Sequence, residues 1–372
     1  MKINVLCTLG PASLDADILR GLDERGVDLF RINLSHTLLE AVVPTIEWVR
    51  RHSTTPICLD TEGAQVRCGK MAPDVVVEEG QMVRLAATEL EGSAEELTLY
   101  PASTFAALEA GSLLSIDFDG ALLRVTDRDD AGAIAAVVNG GRIRSNKAAT
   151  VDPPPALAPL TDKDVRAIEL AQRYGIEHFA LSFASCADDV ALVRTLTSPS
   201  AFLISKLESR AGIRNMDSII QASDAVLIDR GDLSREVPLE HVPFYQKVVV
   251  RRANRWSTPV FVATNLLESM VTNRKPTVAE ADDIVNTLLD GVHGLVLAAE
   301  TAIGVDPVGT VDMILRVVEA FERWNLGPLL EEDRFQTIEP SSRVRAGMGP
   351  AGARPNGQLD PRKAVRSAEV GG

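Results

Sequence analysis

Eight short apolar runs recur along the chain, and each gives way to polar or charged residues at its C-terminal end. They fall at residues 4–9, 27–35, 56–61, 178–183, 202–208, 225–229, 259–264 and 294–299. Runs this short and this continuously apolar suit strands buried on both faces. Stretches of helical spacing follow them, with capping residues at their starts: Ser13 opens one and Thr161 another. A helix follows every run except the third, so count and alternation predict an α/β fold, a (β/α)8 TIM barrel. Trp48, Trp256 and Trp324 fall in the helical stretches and read as packing residues.

After the third run the rhythm breaks. Residues 66–155 carry short apolar or alternating runs, such as Val75-Val76-Val77 and Ala121-Leu122-Leu123-Arg124-Val125. Turns such as Asp119-Gly120 and Asn139-Gly140-Gly141 divide them. That pattern predicts a small all-β domain inserted after strand 3 and closed by a proline-rich hinge, Asp152-Pro153-Pro154-Pro155. The expected organisation is a barrel from residues 1–65 and 156–325, a β-rich insert at 66–155, and a tail at 326–372. The tail is rich in Gly, Pro and Arg, lacks an apolar period and reads as largely disordered.

In such barrels the active site lies at the C-terminal ends of the strands. Here those ends offer Arg31, Asn33, Ser35 and His36, then Asp60 and Thr61 with Arg67 beyond, then Ser182. Lys206 and Glu208 follow, then Arg230, Gly231 and Asp232, then Thr264 and Asn265, and last Glu300 and Thr301. A lysine with two carboxylates at one mouth, Lys206 with Glu208 and Asp232, suits a divalent metal and an anionic substrate. The plainer reading of the same three residues is a pair of buried salt bridges. Polar groups at one end of nearly every strand favour the catalytic reading.

Charge narrows the partners. A net charge of −14 argues against a general nucleic-acid or anionic-membrane binder. It leaves room for a local cluster of Lys, Arg and metal that holds phosphate. No apolar run is long enough to span a bilayer, and residues 1–5 lead straight into a strand without a signal-peptide core. Cys7, Cys58, Cys68 and Cys186 form no C-x-x-C pair and read as free thiols of a reducing compartment, so the expected location is cytoplasmic.

A set of motifs now carries a resemblance. It comprises Cys7-Thr8-Leu9-Gly10-Pro11-Ala12-Ser13, Arg31-Ile32-Asn33-Leu34-Ser35-His36, Leu59-Asp60-Thr61, Ile204-Ser205-Lys206-Leu207-Glu208 and Arg230-Gly231-Asp232-Leu233. Ala263-Thr264-Asn265-Leu266-Leu267-Glu268-Ser269-Met270, Pro276-Thr277-Val278-Ala279-Glu280 and Glu300-Thr301-Ala302 complete it. In this order, over about residues 3–325, the chain resembles the pyruvate kinase family. The resemblance implies transfer of a phosphoryl group between phosphoenolpyruvate and ADP, followed by protonation of the enolate to pyruvate. It makes the insert the family's mobile lid. It implies Glu208 and Asp232 as ligands of Mg2+ (or Mn2+), with Lys206 facing the moving phosphoryl group. Gly231 and Asp232 would hold the substrate carboxylate through backbone N–H groups, and Thr264 would stand beside the carbon that is protonated. Asn33, Ser35, Asp60 and Thr61 resemble a K+ site. Arg31, His36, Arg67 and Lys147 would meet nucleotide phosphates, Lys147 from the lid. A homo-oligomer is implied as well.

The chain departs from the family pattern at several points. Glu62 stands where a lysine is usual, a charge reversal expected to repel polyphosphate by ~1 kcal/mol or more in a partly dry site. Gly63-Ala64-Gln65 stands for Gly-Pro-Glu, and Gln65 puts the K+ requirement in question. Ala298 replaces a serine suited to a proton relay, and Asn146 replaces a lysine of the lid. After the last barrel helix the sequence runs into the low-complexity tail rather than the family's C-terminal regulatory domain, so control by a sugar phosphate is not expected. Besides the phosphotransferase, a metal-dependent enolpyruvate or keto-acid enzyme of aldolase or decarboxylase type fits Lys206, Glu208 and Asp232. A non-catalytic binding protein fits them least.

Overall fold

A computed structural model describes residues 2–117, 120–129 and 131–326. The tail expected from residue 326 onward lies, beyond that first residue, outside the described residues, as does Asp119 of the Asp119-Gly120 turn. Two compact units are present. One comprises Met1–Glu62 and the segment that starts at Asp162; the other is Gly63–Thr161.

The first unit is a closed barrel of eight parallel strands in sequential order. They are β1 (Asn4–Thr8), β2 (Leu29–Asn33), β3 (Ile57–Asp60), β4 (His178–Leu181), β5 (Phe202–Lys206), β6 (Ala225–Asp229), β7 (Val260–Ala263) and β8 (Gly294–Leu297). Closure between β8 and β1 needs Gly294, because a Cβ there would lie 2.6 Å from the Asn4 carbonyl oxygen and 2.7 Å from the Phe261 ring. Side chains alternate across each strand, and the inward set forms one apolar core with Leu6, Leu29, Cys58, Ala180, Ile204, Leu227, Phe261 and Val296. Two residues further along β2, β3, β5 and β6, the same inward register delivers Arg31, Asp60, Lys206 and Asp229. The polar mouth is thus the next layer of the barrel filling, and all four side chains are buried.

Several boundaries differ from the sequence expectation. The second run was expected to stay extended to residue 35, but β2 stops at Asn33 and Leu34–His36 form a 3-10 turn. Asn33 Oδ1 accepts the Ser35 N–H at 2.9 Å, an Asx contact that competes with the strand. β5 ends at Lys206, and Leu207–Glu208 leave the sheet before Ser209 caps the helix Arg210–Arg214. Trp256 and Trp324 are about half exposed (47% and 48%) rather than packed between helices.

The second unit contains a closed barrel of seven short strands, one parallel pair among antiparallel ones, and a single helical turn at Thr104–Ala107. Its core is separate and includes Val83, Leu85, Leu97, Leu114, Leu123 and Ala135. Gly63, at φ +73°, lets the chain leave the first unit through a left-handed turn.

Candidate active site

Lys206, on β5, is the centre of the barrel mouth. Its ammonium donates to Ser182 Oγ at 3.0 Å and lies 3.3 Å from Glu208 Oε2, 3.6 Å from Asp60 Oδ1 and 3.7 Å from Asp229 Oδ2. Burial alone would drive the proton off this lysine, but Asp60, Glu208 and Asp229 outweigh it and raise its pKa above the ordinary range. Lys206 therefore carries a fixed positive charge. Arg31 supplies a second one: its Nε donates to Thr8 Oγ1 at 3.0 Å, and its Nη1 is 3.5 Å from Asp60 Oδ2.

The carboxylates are less evenly served. Glu208 Oε1 accepts the Phe183 N–H at 2.8 Å, whereas its Oε2 is buried and accepts no hydrogen bond. Burial, ahead of the opposing pull of Lys206, pushes the Glu208 carboxyl well above the usual carboxylate range, and Asp232, Asp229 and Asp60 push the same way. Asp229 takes the opposite direction. Burial would raise it, but Lys206, Arg31 and the Thr264 hydroxyl hold it below its ordinary value. Asp232 sits in the first turn of the helix Arg230–Glu236 and pairs with Arg235 at 2.9 Å. Glu208, Asp229 and Asp232 each offer an oxygen within 4.8 Å of the others. Sequence reasoning picked Glu208 and Asp232 but missed Asp229. The signal was the period of two along β6, in which Ala225, Leu227 and Asp229 share the inward face.

The loop after β7 completes this side. Thr264 and Asn265 both take left-handed backbone angles, φ +68° and +54°, uncommon for a β-branched residue. Arg230 holds them there: Nε and Nη2 donate to the Thr264 carbonyl, Nη2 also to the Asn265 carbonyl, and Nη1 reaches both oxygens of Asp283. Glu300 braces the same loop by accepting the Leu267 N–H at 3.2 Å. Thr264 Oγ1 then lies 3.1 Å from Asp229 Oδ1 and accepts the Gly231 N–H at 2.7 Å. The two N–H groups expected to face a substrate carboxylate are thus engaged, that of Gly231 by Thr264 and that of Asp232 by Asp229 at 3.5 Å.

The β2–β3 side differs in kind. Thr61 is buried, its carbonyl accepting Ser182 Oγ and its hydroxyl accepting the Ser182 N–H. Asn33 and Ser35 are partly buried, and His36 is exposed. Asp60, grouped with them for K+, faces Lys206 and Arg31 instead of standing apart. The expected repulsion at Glu62 meets an internal partner: Lys163 Nζ is 3.0 Å from Glu62 Oε1 and donates to the Leu34 carbonyl at 2.6 Å. Asp164 Oδ1 accepts the Glu62 N–H at 2.7 Å. Arg67 and Lys147 belong to the second unit, where they are neighbours: Arg67 pairs with Ala148 in register, and the Lys147 carbonyl accepts the Cys68 N–H. There Lys147 faces Asp117 at 3.5 Å. The thiols take no part in this chemistry. Cys7 and Cys58 are buried, and burial pushes Cys68 up to about 12.

Residues 1–311 match the family model described as the pyruvate kinase barrel domain. The chain belongs to the pyruvate kinase family. It is 36% identical over 333 residues to pyruvate kinase of Methylorubrum extorquens, covering 87% of this chain and 69% of the relative. With pyruvate kinase of Mycobacterium tuberculosis H37Rv it shares 34% identity over 329 residues, 86% of this chain and 70% of that one. The crystal structure of a pyruvate kinase from Cryptosporidium parvum superposes with a TM-score of 0.78 at 30% identity, over 87% of this chain and 69% of that chain. This member of the family is an enzyme, a pyruvate kinase-like phosphotransferase. The aldolase or decarboxylase alternative is not favoured by these relatives. Among the described residues, no helix is long and apolar enough to cross a membrane.

Proposed function

We propose that the barrel mouth moves a phosphoryl group between phosphoenolpyruvate and ADP and then protonates the resulting enolate to pyruvate. The observation that carries this reading is the permanently charged Lys206, buried among carboxylates at the end of β5. A fixed cation in a water-poor site suits a reaction whose charge spreads over phosphoryl oxygens, because catalysis there is mostly positioning and electrostatics. Ser182 and Asp60 hold the ammonium in place from below. Arg31 meets the same phosphoryl oxygens through Nη1, which makes no hydrogen bond in the barrel.

The carboxylates of Glu208, Asp229 and Asp232, with Glu208 Oε2 accepting no hydrogen bond, are the hard oxygen donors that Mg2+ or Mn2+ prefers. Glu208 and Asp232 would hold the ion, which would supply Lewis-acid neutralisation of charge on an anionic substrate. The substrate carboxylate competes for the Gly231 and Asp232 N–H groups, and binding there frees the Thr264 hydroxyl. Thr264 then relays a proton to the enolate carbon, taking one from water as it gives its own, with Asp229 orienting its hydroxyl. Asn33, Ser35, Asp60 and Thr61 are our candidates for K+, on the strength of oxygen donors at the ends of β2 and β3, where Asn33 and Asp60 lie side by side in register. His36, Arg67 and Lys147 are proposed to meet nucleotide phosphates, the last two from the inserted unit acting as a lid.

Four free cysteines fit a reducing compartment, so we extend the proposal to the cytoplasm. Exposed Leu239, Phe244 and Val278 fit self-association into a homo-oligomer. The test is a coupled assay with phosphoenolpyruvate, ADP, Mg2+ and K+ that follows pyruvate. Metal-dependent turnover supports the reading. Metal-dependent binding of pyruvate without turnover would remove ADP from it.

A further inference from the structure

We infer that Asp229 is a third carboxylate ligand of the divalent-metal site, alongside Glu208 and Asp232. The inference rests on the proposed reading that Glu208 and Asp232 hold the metal, and adds a residue that this reading uses only to orient Thr264. Three observations carry it.

The first is proximity. The three residues come from β6, the turn after β5 and the helix after β6, yet each offers a carboxylate oxygen within 4.8 Å of the others. Oxygens on opposite sides of a Mg2+ ion stand about 4.2 Å apart, given bond lengths near 2.1 Å. Side-chain shifts of well under ~1 Å would bring all three into such a shell.

The second is the orphaned acceptor. Glu208 is fully buried, and its Oε2 accepts no hydrogen bond. A buried anionic oxygen left this way is costly unless a cation meets it. Lys206 is shared, at 3.3–3.7 Å, among Glu208, Asp60 and Asp229.

The third is charge balance. Buried Asp60, Glu208 and Asp229 face buried Arg31 and Lys206, while Asp232 is paired with Arg235. With Glu208 ionised, the form in which it can ligate a metal, one negative charge is left over. Helix capping does not account for burying it, because the capping contact from Asp232 N–H to Asp229 Oδ1 is 3.5 Å long and an uncharged Asn or Ser caps equally well. A divalent ion turns the excess into a net positive field, which suits an anionic substrate. A monovalent ion would only cancel it.

The test measures metal alone. The full chain is titrated with Mn2+, without nucleotide or substrate, and free Mn2+ is read by electron paramagnetic resonance. Glu208→Gln and Asp229→Asn are each expected to weaken Mn2+ binding at least tenfold. Asp229→Ser, which also keeps a capping side chain, should do the same, with folding checked by thermal melting. If Glu208→Gln weakens binding and folded Asp229→Asn binds within twofold of the parent, Asp229 is not a ligand and this inference falls alone. If the parent binds no Mn2+, or Glu208→Gln leaves binding unchanged, the metal reading beneath it falls as well. Should neither Asp229 variant fold, anomalous scattering from crystals of the parent with Mn2+ decides. A peak within coordination distance of the Asp229 carboxylate supports the inference, and a peak held by Glu208 and Asp232 without Asp229 overturns it.

Discussion

The two sides of the barrel mouth handle charge in opposite ways. On the β5–β7 side, Lys206 is surrounded by more carboxylate than it can serve. Glu208 Oε2 is buried there without a hydrogen-bond partner, and so are Asp60 Oδ2 and Arg31 Nη1, which reach toward Lys206 from β3 and β2. On the β3 side, Glu62 and Lys163 meet each other, and the neighbouring Leu34 carbonyl and Asp164 carboxylate absorb the remaining donors. The difference separates groups held ready for a ligand from groups that satisfy one another. Folding leaves the first set without hydrogen bonds, which the proposed metal and anion would supply. The second set holds the chain together where it leaves the barrel at Glu62 and returns at Asp162.

The largest effect should come from withdrawing the metal. Chelation of divalent ions is expected to abolish pyruvate formation, and Glu208→Gln to reduce it by roughly 10²-fold or more at a fixed, limiting Mg2+ concentration. Steady-state rates across a Mg2+ series check this, and full activity of Glu208→Gln at low Mg2+ would erase the contrast between the two sides.

A smaller effect tests the quiet side. Lys163→Met removes the cation beside the Glu62 carboxylate and should raise the KM for ADP about fivefold, corresponding to ~1 kcal/mol in a partly screened site. Glu62→Gln, which removes the repelling charge itself, should lower that KM or leave it within about twofold. Equal KM values in both variants would mean that the pair lies outside the reach of the nucleotide.

The smallest effect concerns a self-satisfied acid away from the mouth. Partial burial would raise the Glu280 carboxyl, but the Ser269 hydroxyl and the Ser269 and Thr277 N–H groups hold it below its ordinary value of 4.5. A depressed folded-state pKa gives stability that is full above the ordinary value and is lost as pH falls through the depressed one. Glu280→Gln should therefore cost about 1 kcal/mol or less at neutral pH, and the gap to the parent should close in acid. Thermal melts between neutral pH and the low end of the carboxylate range measure it. A gap that stays constant with pH would assign the cost to geometry and not to charge.

How much of this the sequence carried depends on the range of each interaction. The barrel was legible because each apolar run is a local signal, and β6 begins and ends where its run does. Lys206, Glu208 and Asp232 were legible as charges just past such runs. Asp229 was not, although it ends the same run. Its weight comes from facing Lys206, Glu208 and Thr264 across β5–β7, and that depends on register, Lys206 opposite Leu227 and Asp229 opposite Ala263. The Glu62–Lys163 pair was hidden more deeply, since its partners are 101 residues apart with the inserted unit between them. From sequence, Glu62 reads as a charge reversal beside a polyphosphate site; in the fold it is paired with Lys163. The Asn33 contact that ends β2 is local, but it is a competition between side chain and sheet that an apolar run does not report.

The fixed charge of Lys206 is the centre of the proposed mechanism, and Lys206→Met probes it directly. Two rates should be read on the same folded protein: phosphoryl transfer from phosphoenolpyruvate to ADP, and exchange of pyruvate methyl protons with solvent deuterium. Transfer is expected to fall by about 10²–10³-fold, while proton exchange through Thr264 persists. Phosphoryl transfer at the parent rate in Lys206→Met would contradict the role assigned to this lysine.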